Sequence, residues 1–279
     1  MRNRILIATL VTLTLAVAVS MAQAPQAPAA ARPAAPAAYR APRTADGKPN
    51  LNGIWQAMNT ANWDIEAHSA QPSPIKELGA SGAIPAGAGI VEGGTIPYLP
   101  EALKKKKENQ ANRLKLDPEV KCYLPGVPRS VYMPYPFQII QGTKHIMMLH
   151  EYAGAVRTVY MTDQTDAPAD SWMGWSNGKW EGETLVVDTK GFNDQSWFDR
   201  AGNFHSDALH VVERFTARSA DTLNYEATIE DSKTFSRPWK ISMPLYRHVE
   251  ANAQIMEFRC VEFVEDLLYG HLKKQPASK

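Results

Sequence analysis

The sequence predicts a mainly β protein, an antiparallel meander that closes into a barrel, with one helix in its N-terminal half and a second at its C-terminus. Three observations predict it. Nine strand-like runs follow one another from residue 137 onward, Gly-containing turns separate them, and apolar and polar residues alternate within the runs. In 222–230, Leu223, Tyr225, Ala227 and Ile229 share one face, while Asn224, Glu226, Thr228 and Glu230 share the other. Such a strand has one side for a core and one for water.

The elements follow in order along 279 residues. Residues 1–4 contain two arginines, 5–19 form an unbroken run of apolar residues and Thr, and Ala22-Gln23-Ala24 supplies small residues at cleavage spacing. This is the pattern of a secretory signal peptide over 1–24. The apolar run is shorter than the ~20 residues of a spanning helix and no later run matches it, so no transmembrane segment is expected after its removal. The Ala/Pro-rich stretch 25–45 reads as a disordered linker and 46–279 as a single domain. Within that domain, 72–97 is rich in Pro and Gly and reads as a long loop, and 100–116 reads as a helix with Pro100 in its first turn.

Strands are expected over 137–141, 144–150, 155–161, 172–176, 184–189, 208–216, 222–230, 240–249 and 254–262, and the second helix over 261–272. Turns fall at Gly142, at Asn177-Gly178, at Gly182 and at Ser219-Ala220-Asp221. Asn177-Gly178 is the strongest two-residue hairpin signal among them.

Lys and Arg total 30 and Asp and Glu 29; loss of Arg2 and Arg4 with the signal leaves 28 against 29. A near-neutral chain gives nucleic acid no electrostatic footing, and the basic run Lys104 to Lys107 reads as a solvated helix face. Two cysteines, Cys122 and Cys260, in a chain bound for an oxidising compartment are expected to form a disulfide. Neither has a His neighbour at ligand spacing, and His205, Asp207, His210 and Glu213 lack the parity for a shared ion along one strand, so no metal or other cofactor is expected.

Gly53-Ile54-Trp55 resembles the Gly-x-Trp signature of the first lipocalin strand, where an arginine from the last strand packs over the tryptophan. The resemblance implies a closed, lipocalin-like barrel and assigns that place to Arg259, the arginine of the run 254–262. Longer phrases resemble a family of uncharacterised secreted bacterial proteins. They are the segment from Arg43 to Trp55, Cys122-Tyr123-Leu124-Pro125-Gly126-Val127-Pro128-Arg129, the segment from Gly178 to Thr189, His205-Ser206 ahead of Glu213-Arg214, and Arg237-Pro238-Trp239. This resemblance implies a periplasmic or secreted protein with a shared fold and brings no reaction with it.

Gly174-Trp175-Ser176-Asn177-Gly178 satisfies the Gly-x-Ser-x-Gly spacing of a nucleophile elbow, but a hairpin turn follows where the elbow needs a helix. Asp199 and His205 make a better catalytic pair. With Gly202 reversing the chain, they would face each other across a hairpin and hold an imidazole ready for proton transfer. Parity along 208–216 puts Glu213 on the apolar face, and Arg157 lies on a comparable one, so the two are expected to pair inside the barrel. Trp172, Trp175, Trp180 and Trp197, with Phe198, Phe204, Trp239 and Arg237, suit the wall of a ligand site.

The reading these features favour is a small, partly apolar ligand bound at the barrel mouth by Trp172, Trp175, Trp180, Trp197, Arg157, Glu213 and Arg237. A hydrolase, lyase or isomerase using His205 and Asp199 is the first alternative, and a cell-envelope structural protein the second.

Overall fold

The computed structural model describes residues 39–272. The expected signal peptide, 1–24, lies outside them. Part of the expected linker belongs to the fold instead, because Ala41 is buried and Arg43 bridges to Pro49.

Nine strands close a barrel in chain order: β1 (Gly53–Gln56), β2 (Phe137–Gln141), β3 (His145–His150), β4 (Val156–Tyr160), β5 (Trp175–Glu181), β6 (Thr184–Lys190), β7 (His210–Ser219), β8 (Thr222–Glu230) and β9 (Trp239–Arg247). Eight neighbouring pairs are antiparallel, including β1 with β9, and β4 with β5 is parallel. The parallel pair follows from the count. Strands that alternate up and down close a ring only in even number, so a ring of nine needs one pair running the same way. Residues 161–174 supply the crossover, of the dozen or more residues that a parallel connection requires. The expected purely antiparallel meander is therefore a mixed barrel.

Two strand readings change for one reason. Residues 53–56 form β1, which pairs with both β2 and β9. With the ring closed there, 254–262 finds no free edge and runs as a strap without strand pairing. Its Phe258 packs against Tyr135 and Tyr152 at 5.1 and 5.0 Å, and the Phe263 N–H donates to Val120 O at 2.7 Å. The expected disulfide is present, joining Cys122 to Cys260 with Cα atoms 5.7 Å apart.

Asn177-Gly178 is no hairpin turn but the middle of β5. A Cβ on Gly178 would lie 2.5 Å from Met161 Sδ and 2.6 Å from Val159 Cγ1, so this glycine lets β4 come close. The reversal comes at Gly182, with φ 60°. The helix expected over 100–116 divides into α1 (Pro100–Ala111) and α2 (Arg113–Leu116) at Asn112, whose φ is −111° and whose Nδ2 donates to Glu108 O. A short α3 (Arg129–Tyr132) follows, and the C-terminal helix is α4 (Val264–Tyr269). No helix among the described residues is long and apolar enough to cross a membrane.

The core fills the barrel. Alternation buries Val211, Phe215, Leu223, Tyr225, Ala227 and Ile229, the larger of which contribute about 1.5–3 kcal/mol each by leaving water. At one end Trp55 is fully buried, its indole N–H donating to Leu51 O at 3.0 Å. Arg247, not Arg259, covers the ring, 4.2 Å from its centroid, and donates to Asn52 O. Arg247 ends the true last strand. A Cβ on Gly53 would meet Arg247 Nη1 at 2.0 Å, which explains the glycine of Gly-x-Trp here.

Candidate functional site

The parallel seam is short. Val159 pairs with Ser176 and Tyr160 with Asn177, and on the N-terminal side of these rungs the two chains diverge around a cavity of about 460 Å³. One wall is β4, with Val156, Arg157, Thr158 and Tyr160; the other is the end of the crossover, from Pro168 to Trp175, and Leu124 completes the lining. The cavity opens through the side of the barrel rather than at its mouth. Its volume falls within the ~300–1,000 Å³ of typical small-molecule sites.

Local sequence sets the aromatic geometry. Gly174, at φ 65°, bends the chain into β5, and a Cβ there would press on Thr189 and Phe192 at 2.7 and 2.8 Å. The bend lays Trp175 against Tyr160, ring centroids 4.4 Å apart and planes 18° from parallel. Trp172 packs on Tyr123 at 4.4 Å. The Trp175 Nε1 atom is buried and has no hydrogen-bond partner.

Behind this cavity Arg157 and Glu213 form the pair expected from strand parity, with two guanidinium nitrogens on the two carboxylate oxygens. Arg157 Nε donates to Ser176 Oγ and Nη2 to Thr189 Oγ1, both at 2.8 Å, and Tyr225 donates to Glu213 Oε1 at 2.9 Å. Ser176 thus serves the arginine, and no nucleophile elbow exists. Burial, aided by the Arg157 charge, lowers His150 to about 3; with Nδ1 against Ser130 O at 3.1 Å it is a neutral ring stacked on Phe137.

Asp199 and His205 do not form the expected pair. The reversal comes earlier in the chain than the spacing implied: Phe198 N bonds Asn203 O and Trp197 bridges Phe204, which puts Ser196 opposite His205. His205 Nε2 meets Ser196 Oγ at 2.9 Å and Nδ1 meets Ser206 O at 2.8 Å. Asp199 spends its oxygens on the N–H groups of Ile65, Ala201 and Asn203 and on Asn203 Nδ2. Burial, with Asp64 adding to it, raises Asp199 to about 7 against these donors, and burial lowers His205. Both residues are buried, and the gap beside Ser196 and Trp197 has no room for a water. They hold a loop together.

No protein-family model matches this sequence, and no curated protein does. The site is therefore read from its own chemistry.

Of the expected ligand residues, the structure brings Trp172, Trp175 and Arg157 to one cavity, with Glu213 directly behind. The others lie elsewhere. Trp180 packs on the core, Trp197 is buried beside Ser196, and Arg237 is exposed and donates to Pro238 O. Phe198 and Trp239 pack with Phe235 as core. Sequence reasoning missed Tyr160, Val156 and Leu124. One signal existed: Val156 and Tyr160 are apolar side chains on the outward parity of β4, a face that needs a cover. Among the described residues no three or more His, Cys, Asp or Glu side chains are grouped to hold a metal; Asp207 pairs with Lys233, and the two ring nitrogens of His210 meet Glu230 and Asp188.

The lining offers aromatic walls and few titratable groups, namely Arg157, Tyr160 and the exposed Asp170. Glu213 neutralises Arg157. This is chemistry for holding an uncharged molecule.

Proposed function

We propose that this protein binds a small, partly apolar ligand in the seam cavity, with Trp172, Tyr160 and Trp175 as its walls. The observation that carries this reading is the meeting of these aromatic side chains around a cavity of small-molecule size. The paired charge of Arg157 favours an uncharged ligand over an anion.

The setting we infer is the periplasm or the outside of a bacterial cell. The Cys122–Cys260 bond supports it, because disulfides persist in oxidising compartments, and the N-terminal signal pattern points the same way.

Titration with the neutral fluorophore N-phenyl-1-naphthylamine tests the site. Saturable binding at one site is expected, weakened at least tenfold by Val156→Trp, which places a large ring from an exposed β4 position over the cavity. Native mass spectrometry of protein recovered from a periplasm is expected to show a mass excess that denaturation removes. Unchanged dye binding by the Val156→Trp variant would place the ligand elsewhere and end this reading.

A further inference from the structure

The seam cavity contains, besides its side chains, an unfilled strand edge. The His150 N–H donates to Ala155 O at 2.8 Å and the Met161 N–H to Lys144 O at 2.9 Å. Carried through the β3–β4 register, this alternation points the peptide groups of Arg157 and Val159 at β3. Those of Val156, Thr158 and Tyr160 point the other way, toward β5. The β4–β5 ladder has no rung before Val159 with Ser176, and among the described residues no backbone group of the crossover bonds to Val156 or Thr158. The N–H and C=O of Val156 and the N–H of Thr158 are therefore left facing the cavity.

Unpaired main-chain groups along a strand edge are a template for an added strand. They also specify it. Donor and acceptor on one residue, and a second donor two residues on at about 7 Å, form a pattern that the extended main chain of a peptide matches, because its own N–H and C=O groups repeat at that spacing. A small aromatic molecule would stack on the walls but leave this edge bare. The three residues Val156 to Thr158 span roughly 10 Å, the reach of a tri- or tetrapeptide. Side chains of an added strand would alternate between the Leu124 and Trp172 wall and the barrel side, where the neutralised Arg157 disfavours charge.

We propose that the seam cavity binds a short, uncharged, extended oligopeptide that hydrogen-bonds to Val156 and Thr158 as an added strand between β4 and the crossover. This rests on the cavity being the ligand site and names the class of ligand. The occupant is a free oligopeptide: the cavity is walled on both sides, by β4 and by the crossover, and accommodates a few residues rather than the edge of another folded sheet.

The test offers the purified protein a pool of capped tetrapeptides built from Ala, Val, Leu, Phe, Ser and Gly, with retained members identified by native mass spectrometry and titrated individually. Binding of one peptide per chain is expected. Methylation of alternate peptide nitrogens should weaken it at least tenfold, as should Thr158→Pro, which removes a cavity-facing N–H and leaves the β3–β4 bonds intact. The circular dichroism spectrum and the cooperative melting of that variant should stay those of the folded barrel, which verifies that it folds. Equal affinity for the methylated peptides, or retention of none with dye binding intact, would overturn strand addition while leaving a small-molecule site. Loss of dye and peptide binding together in the wild type would remove the cavity reading itself. A dimer that Thr158→Pro dissolves would assign the edge to a second copy and overturn the peptide.

Discussion

Arg157 sits among Glu213, Ser176 and Thr189 inside a barrel lined otherwise by hydrocarbon and aromatic side chains, and Tyr225 completes the set from the carboxylate side. Removing one member of such a pair strands a charge, whereas replacing both with apolar groups of similar size strands none. Arg157→Met is thus expected to destabilise the fold by about 3–5 kcal/mol, and Arg157→Met with Glu213→Leu by less than the single change. Urea unfolding of the two variants decides it; a double variant weaker than Arg157→Met would mean that the ion pair holds the barrel by more than charge balance. This pair was legible in the sequence, because strand parity alone brought Glu213 and Arg157 inward. The Asp199 and His205 pair was misread at the same scale. Their spacing suggested a meeting, but Asp199 caps its own turn through Ala201 and Asn203, and those local bonds set the hairpin register.

Among the elements, those whose partners are adjacent in sequence were the legible ones. β2 and β8 occupy the expected residues, and β7 with β8 shows the alternation in full. β1 was legible only through its Gly-x-Trp resemblance, since four residues carry too little periodicity and their partners, β2 and β9, are remote in the chain. Asn177-Gly178 misled because a glycine chosen for close approach looks, in sequence, like one chosen for a turn. Gly178→Val tests that explanation. Its side chain would overlap Met161 and Val159, and overpacking of this kind costs about 1–3 kcal/mol. Gly182→Ala is the informative control, because no heavy atom lies near its added methyl and only the positive φ opposes it. Equal melting temperatures for wild type and Gly178→Val would mean that β4 and β5 stand further apart at the seam than the glycine implies.

Across the whole molecule, the disulfide joins residues 138 apart and pins the C-terminal strap against Tyr135 and Tyr152. Its sequence separation gives it leverage on the unfolded chain. Replacing Cys122 and Cys260 with Ser is expected to lower stability by up to about 5 kcal/mol on the chain-entropy account. Trypsin cleavage at the exposed Arg259 should also quicken before the barrel unfolds. A variant that keeps wild-type stability and resists trypsin there would show that the strap holds by packing alone. Cysteine pairing was readable from the count of two and the expected oxidising compartment, but the seam was not, because nothing local in residues 161–174 announces that the strands on either side run the same way.

Nine being odd has a kinetic side. A ring with every joint antiparallel and long would exchange its contents through its ends, past the plug of Trp55 and Arg247 or the packed aromatic cluster of Phe198, Phe235 and Trp239. This ring has a parallel joint held by two rungs, as few as join β1 to β9, and the cavity lies against the parallel one. A guest there would arrive and leave sideways past the exposed Val156, with the two rungs intact and neither end of the ring disturbed.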